Sequence, residues 1–271
     1  MLCLVPTPIG NLEDMSQRAI KALLEAELIF CEDTRVTKKL LNLLSEKYAY
    51  DFSNKEFKSF HSHNEDEILK TITKDTFTKN VVYCSDAGMP CVSDPGAKLV
   101  EFCIKNSIEY DVIPGANALL TAFAMSGFNY TEFTFFGFLD HKGATRASKL
   151  EEVLNNSRVS ILYESPHRLI KLLEELNKKE PNRTIFLVKE ISKKFQETFK
   201  DSAENIYLNL KNVDIKGEWV VVIEPKEKIG LNLELEDILP LELPPKIKAK
   251  LIAKLSGESV KEVYQKLLDK I

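Results

Sequence analysis

Short apolar runs and amphipathic stretches alternate along most of the chain. Residues 2–5 are an apolar run that predicts a strand, and Ser16 then caps a stretch in which Ala19, Ile20, Leu23 and Leu24 recur at helical spacing. The run ELIFC (27–31) predicts a second strand and 34–44 a helix. After a polar stretch dotted with aromatics come a helix at 65–72, a strand at 81–84, a helix at 97–105 and a strand at 110–113 that stops at Pro114-Gly115. This alternation predicts a parallel sheet with crossover helices. Strands at 131–138, 159–164, 184–189 and 217–224, with helices at 146–155, 168–176 and 203–210 between them, predict a second α/β unit. Residues 225–243 read as a linker, and 246–270 as two short helices joined at Ser256-Gly257. The expected organisation is therefore an α/β domain over 1–113, a second over 114–225, and a linker with a Lys-rich helical tail over 226–271.

Charge changes this picture at one end. The net charge is −4, too acidic for a protein that holds nucleic acid by charge over its whole surface. From Pro244 onward, however, seven Lys face three acids, so the tail carries +4 and the rest −8. A basic tail on an acidic body is either a partner-binding surface or a solvated helical face. No apolar run approaches the ~20 residues of a membrane span. The opening MLCLVPTPIGN lacks the basic region of a signal peptide. Five Cys without a C-x-x-C pair fit reduced thiols and a cytoplasmic protein.

Several chemistries have no support. There is no P-loop, no dinucleotide fingerprint and no G-x-S-x-G elbow. Ser165-Pro166-His167 lacks any mark of a nucleophile, and His61-Ser62-His63 reads as a loop that with Asn64 caps the helix starting at Glu65. What remains is a set of loops at strand ends, where α/β proteins bind ligands. VPTPIGN (5–11) is a strand-to-helix turn stiffened by two prolines around Thr7. YCSDAGMPCVSDPGAK (83–98) is a turn-rich loop carrying Asp86 and Asp94 and no Lys before Lys98, the opposite of a phosphate cradle. YESPHR (163–168) and KE (189–190) end strands with charge and are either crevice residues or plain surface.

These segments, taken in order with CEDTRVTKKLL (31–41), FHSHNE (60–65), IPGANALLTAFAMSG (113–127), FFGFL (135–139) and KEISKKFQE (189–197), resemble the ribosomal RNA small subunit methyltransferase I family. That family is a branch of the tetrapyrrole-methylase-like, class III S-adenosylmethionine methyltransferases. The resemblance spans residues 2 to about 224 closely and the Lys-rich tail less so.

It implies two α/β domains with S-adenosyl-L-methionine bound in the cleft between them, and usually a homodimer. It implies 2′-O-ribose methylation of a cytidine in the decoding region of 16S rRNA, on the RNA or the small ribosomal subunit. Methylation of a tetrapyrrole-like acceptor and a non-catalytic RNA-binding role are the alternatives. By resemblance Ser85, Asp86, Ala87, Gly88, Val92, Ser93, Asp94, Ala116 and Tyr163 face the donor, while Pro8, Gly10, Asn11, Arg35 and His167 face the acceptor. The 2′-hydroxyl needs a base or a cation beside the developing alkoxide, and Lys189, Glu190 and Glu32 are the candidates. No metal is expected. Lys142, Arg146 and Lys149, Lys193 with Lys194, and the tail form three basic patches for RNA. The family usually reads SDAGTPGISDPG, so Met89 and Cys91 depart from it here. A side chain at 91 leads to the expectation that this position does not need positive φ.

Overall fold

A computed structural model describes residues 1–226 and 235–268. The linker prediction at 225–243 falls partly on 227–234, and the end of the tail on 269–271, outside the described residues. The chain forms two compact units, Met1–Lys226 and Glu227–Ile271.

The larger unit holds two five-stranded sheets. The first contains β1 (Leu2–Leu4), β2 (Leu28–Cys31), β3 (Glu56–Ser59), β4 (Val81–Cys84) and β5 (Tyr110–Val112) in the order β3-β2-β4-β1-β5, all parallel. β1, β2 and β4 are buried throughout, which is why they read as unbroken apolar runs. Helices cover both faces. Ala19, Ile20 and Leu23 of the Gln17–Glu25 helix and Leu41 and Leu44 of the Thr34–Tyr48 helix pack on one side. On the other, Leu99 and Cys103 of the Ala97–Lys105 helix join Phe30, Phe60 and Tyr83. Because every strand runs the same way, the loops after β1, β2, β4 and β5 meet at one edge.

The second sheet is mixed. Its strands are β6 (Phe133–Phe138), β7 (Val159–Glu164), β8 (Thr184–Lys189), β9 (Glu197–Ser202) and β10 (Trp219–Ile223), in the order β6-β7-β10-β8-β9. β6 and β7 are parallel, but β10 enters between β7 and β8 antiparallel to both. The carboxyl ends of β6, β7 and β8 therefore gather beside the start of β10. A bulge between Phe135 and Gly137, with Gly137 at φ 63°, re-aims the end of β6.

In the smaller unit the helices Pro245–Ser256 and Val260–Leu268 are broken by Gly257, a left-handed C-cap at φ 74°. Ala249, Ile252, Ala253 and Val263 close a small core with Ile238 of the Leu235–Ile238 turn. No helix among the described residues is long and apolar enough to cross a membrane. All five cysteines are free.

Candidate active site

The loop after β1 is locked to the loop after β4. Pro6 and Pro8 have no N–H to give, so the backbone of Thr7 makes the connection: its N–H donates to Gly88 O at 2.9 Å and its carbonyl accepts from Gly88 N at 3.1 Å. The buried Thr7 hydroxyl donates to Ser85 O at 3.2 Å. Gly115 closes the same corner, since a Cβ there would lie 2.2 Å from Pro6 Cγ. The loop after β2 joins from the other side: Asp33 N donates to Asp86 Oδ1 at 3.0 Å, and Asp86 N to Glu32 Oε2 at 3.4 Å. Asp33 also caps the Thr34–Tyr48 helix through Arg35 N.

Within the 85–96 loop the expectation for position 91 is overturned. Cys91 adopts φ 69° and Ser93 φ 63°, both left-handed. The position does need the conformation that glycine adopts freely, and here a cysteine adopts it at a steric cost. Cys91 N bonds to Pro95 O at 3.3 Å, and the Cys91 side chain packs on the core beneath the loop. These two residues turn Asp94 back towards Glu32 and Asp86.

Between this edge and the gathered ends of β6, β7, β8 and β10 lies a cavity of about 400 Å³, within the ordinary range for a small-molecule site of roughly 300–1,000 Å³. Glu32, Asp86 and Asp94 line one wall and Glu164 and Glu218 the other, with Tyr163, Phe138 and Trp219 as aromatic surface. None of its lining residues is Lys, Arg or His. Burial raises the carboxyls of Glu32 and Asp86 above their usual range. Burial, and then the neighbouring Glu32, pushes Asp94 up to about 7. Glu164 is buried and held by two arginines: its Oε1 lies 2.7 Å from Arg168 Nη2 and accepts from Ser165 N at 2.8 Å, while Arg146 Nη1 stands 3.9 Å from Oε2. Oε2 itself has no hydrogen-bond partner among the described residues, nor has the buried Ser85 Oγ.

Of the residues expected at the donor, Asp86, Ala87, Gly88, Val92, Ser93, Asp94 and Tyr163 line the cavity. Ser85 lies buried behind them, and Ala116 O is 3.7 Å from the Cβ position of Gly88. Of the proton-transfer candidates, Glu32 lines the cavity, while Lys189 pairs with Glu197 at 3.1 Å. The Glu190 carboxylate accepts from Lys193 and from Glu218 N, both at 2.9 Å, next to the lining residues Ile191 and Glu218. On the acceptor side, Gly10 packs against the 191–193 loop, its Cβ position 2.6 Å from Lys193 Cγ. Asn11 caps the short Leu12–Asp14 turn beside it. Pro8 is half-buried, and His167 stands exposed in the first turn of the Pro166–Lys179 helix. Arg35 is exposed and paired with Asp33 at 2.5 Å.

Two of the basic patches need correction. Arg146 is buried against Glu164 and Glu175 and offers no charge to a surface ligand. Lys193 is engaged by Glu190 and Glu218, which leaves Lys194 as the exposed cation of its pair without an ion pair among the described residues. The expected Asn64 cap is also replaced: its side chain takes His61 N and Ser59 O instead of the helix amides. No metal-binding cluster occurs among the described residues.

Two α/β halves around an acidic cleft define a methylase of the tetrapyrrole type, and residues 1–207 match the family model for Tetrapyrrole (Corrin/Porphyrin) Methylases. Among solved structures, the chain is similar to a uroporphyrin-III C-methyl transferase from Thermus thermophilus complexed with S-adenyl homocysteine. The TM-score is 0.56 at 16% identity, covering 82% of this chain and 96% of that one. A diphthine synthase gives a TM-score of 0.61 at 14% identity, covering 82% and 89%. Among curated proteins, the ribosomal RNA small subunit methyltransferase I of Campylobacter fetus is 47% identical, covering 99% of this chain and 100% of that protein. That of Helicobacter pylori strain 26695 is 42% identical, covering 99% of each. The chain belongs to the ribosomal RNA small subunit methyltransferase I family.

Proposed function

We propose that this protein transfers a methyl group from S-adenosyl-L-methionine to the 2′-hydroxyl of a cytidine in the decoding region of 16S rRNA, acting on the small ribosomal subunit in the cytoplasm as a homodimer. The observation that carries the donor half is the wall of carboxylates without a balancing base, in a cleft of a family of methylases. The names of the near-full-length relatives support the acceptor half. We take the cleft to separate domains at 1–113 and 114–225.

The cleft suits the donor. Its acids match a ligand with sulfonium and ammonium charges, and Glu164 Oε2, on the lining, is a buried polar atom without a hydrogen-bond partner among the described residues. Gly88, at φ 88° with Ile9 Cγ2 only 3.2 Å from its Cβ position, lets backbone approach a ligand closely. The donor, when bound, supplies an activated methyl and its own leaving group, so the protein contributes position and electrostatics. Glu32, Asp86 and Asp94 place negative potential beside the donor's positive charge. Tyr163 and Phe138, with ring centroids 5.6 Å apart, shield one side from water. A ribose hydroxyl must lose its proton as it attacks. Of Lys189, Glu190 and Glu32, we assign this to Glu32, whose raised carboxyl faces the cleft while the other two are held in ion pairs. Pro8, Gly10, Asn11, Arg35 and His167 are proposed acceptor contacts.

The test is incubation with labelled donor and small subunits from cells lacking this protein, followed by nuclease mapping of the label. Label on one cytidine ribose is the expected result. Donor binding without incorporation would overturn the rRNA reading, and Glu32→Gln at the wild-type turnover number would overturn the base assignment.

A further inference from the structure

Three carboxylates converge on one wall of the cleft from two loops, Glu32 after β2 and Asp86 and Asp94 after β4. The convergence is built rather than incidental. Asp86 N reaches Glu32, Asp33 N reaches Asp86, and two left-handed non-glycine residues, Cys91 and Ser93, turn the chain so that Asp94 joins them. Backbone strain and like charges both oppose folding, and both concentrate where a ligand gives them a use. The groups around them offer little relief. Ser85, the Cys91 thiol and the phenols of Tyr83 and Tyr163 border Asp94, and Glu164 and Glu218 face it across the cleft. His61 stands near Glu32, and Arg35 near Asp86 is committed to Asp33.

The methyl donor carries one more positive charge than the demethylated product, whose sulfur is neutral after it keeps the bond electrons. We propose that Glu32, Asp86 and Asp94 are specificity-determining residues that favour the charged donor over the neutral-sulfur product, so that the cleft weakens its hold once the methyl has left. This rests on the donor reading above. It has a second consequence: Asp94, pushed up to about 7 without a ligand, gives up its proton when a cation binds. Discrimination therefore sharpens as pH rises through that value.

Calorimetry on the full chain tests this with S-adenosylmethionine, S-adenosylhomocysteine and sinefungin, which carries a protonated amine in place of the sulfonium. At pH 8 both charged ligands are expected to bind about tenfold tighter than the homocysteine compound. At pH 6 the gap narrows. Titrations near pH 7 in two buffers of different ionisation enthalpy should show more proton release with the donor and sinefungin than with the homocysteine compound, which lacks the charge at sulfur. Asp94→Asn should shrink the gap to about threefold and abolish the excess proton release, and Glu32→Gln gives a second variant should the first fail to fold. An unchanged ratio in both variants, or equal wild-type affinity for donor and product, overturns the inference alone. Failure of all three ligands to bind overturns the donor reading with it.

Discussion

Arg146 is the residue whose removal the structure makes most informative. Its side chain is 3% exposed and makes four polar contacts. Nη2 and Nε reach the Glu175 carboxylate at 2.7 and 3.3 Å, Nη1 donates to Asp140 O at 3.1 Å, and Nη1 stands 3.9 Å from Glu164 Oε2. Replacement by Met keeps much of the volume and removes the charge. Glu175 is 27% exposed and can turn to water, but Glu164 is wholly buried and would keep, among the described residues, Arg168 as its one cation beside the Ser165 amide. Breaking a buried pair from one side costs about 3–5 kcal/mol, and the partial escape of Glu175 places Arg146→Met near about 3. For a chain of this size that corresponds to a fall in Tm of about 6–12 °C. The double variant Arg146→Met/Glu164→Gln should recover much of this, because the stranded charge is gone. Thermal and urea unfolding of wild type, both singles and the double give the coupling directly. A single Arg146→Met variant melting within about 2 °C of wild type would refute the reasoning, since water must then reach Glu164 despite its burial.

Other outcomes follow from the same geometry. Gly115→Ala would drive a methyl to 2.2 Å from the rigid Pro6 ring, and denaturant unfolding should show a loss of about 1–3 kcal/mol. Asp94 has its carboxyl raised from 3.8 to about 7, so the folded state binds its proton more tightly than the unfolded state does. Its contribution to ligand-free stability is complete below pH ~4 and is lost as pH rises through ~7; melts across this range should show a decline that Asp94→Asn lacks. Deleting 244–271 is expected to impair methylation of ribosomal particles more than donor binding, and equal loss of both would assign the tail a folding role. Particle methylation should weaken steeply between 50 and 200 mM salt, as phosphate contacts require.

The sequence made the first sheet nearly complete, because β1, β2 and β4 are buried on both faces and need apolar side chains at every position. It hid the edges. EFKS and ETFKDS are half-exposed and polar, so β3 and β9 carry the composition of loops and gain strand character only from their neighbours. The direction of β10 was invisible, since an apolar run has no arrow. The loop chemistry was legible where residue type constrains it, as with acids and glycines crowded at 85–96. Position 91 was not, because left-handed backbone at a non-glycine residue depends on tertiary contacts. Arg146 misled for a related reason: a Lys/Arg cluster looks like surface until Glu164 and Glu175, distant in the chain, come to meet it.

The place of β10 bears on how the protein is made. The first sheet has all its strands once Val112 has left the ribosome, whereas the second lacks its central strand until Ile223 does. Until then β7 and β8 have no partner between them, and the apolar rows Ile161–Leu162 and Phe186–Leu187 await Val221 and Val222. The last strand also brings Glu218, Trp219 and Val220 to the cleft. Synthesis thus yields an N-terminal half that can settle early and a C-terminal half that closes in one late step. A nascent chain stopped short of residue 219 has one wall of the cleft and exposes the core meant for the other.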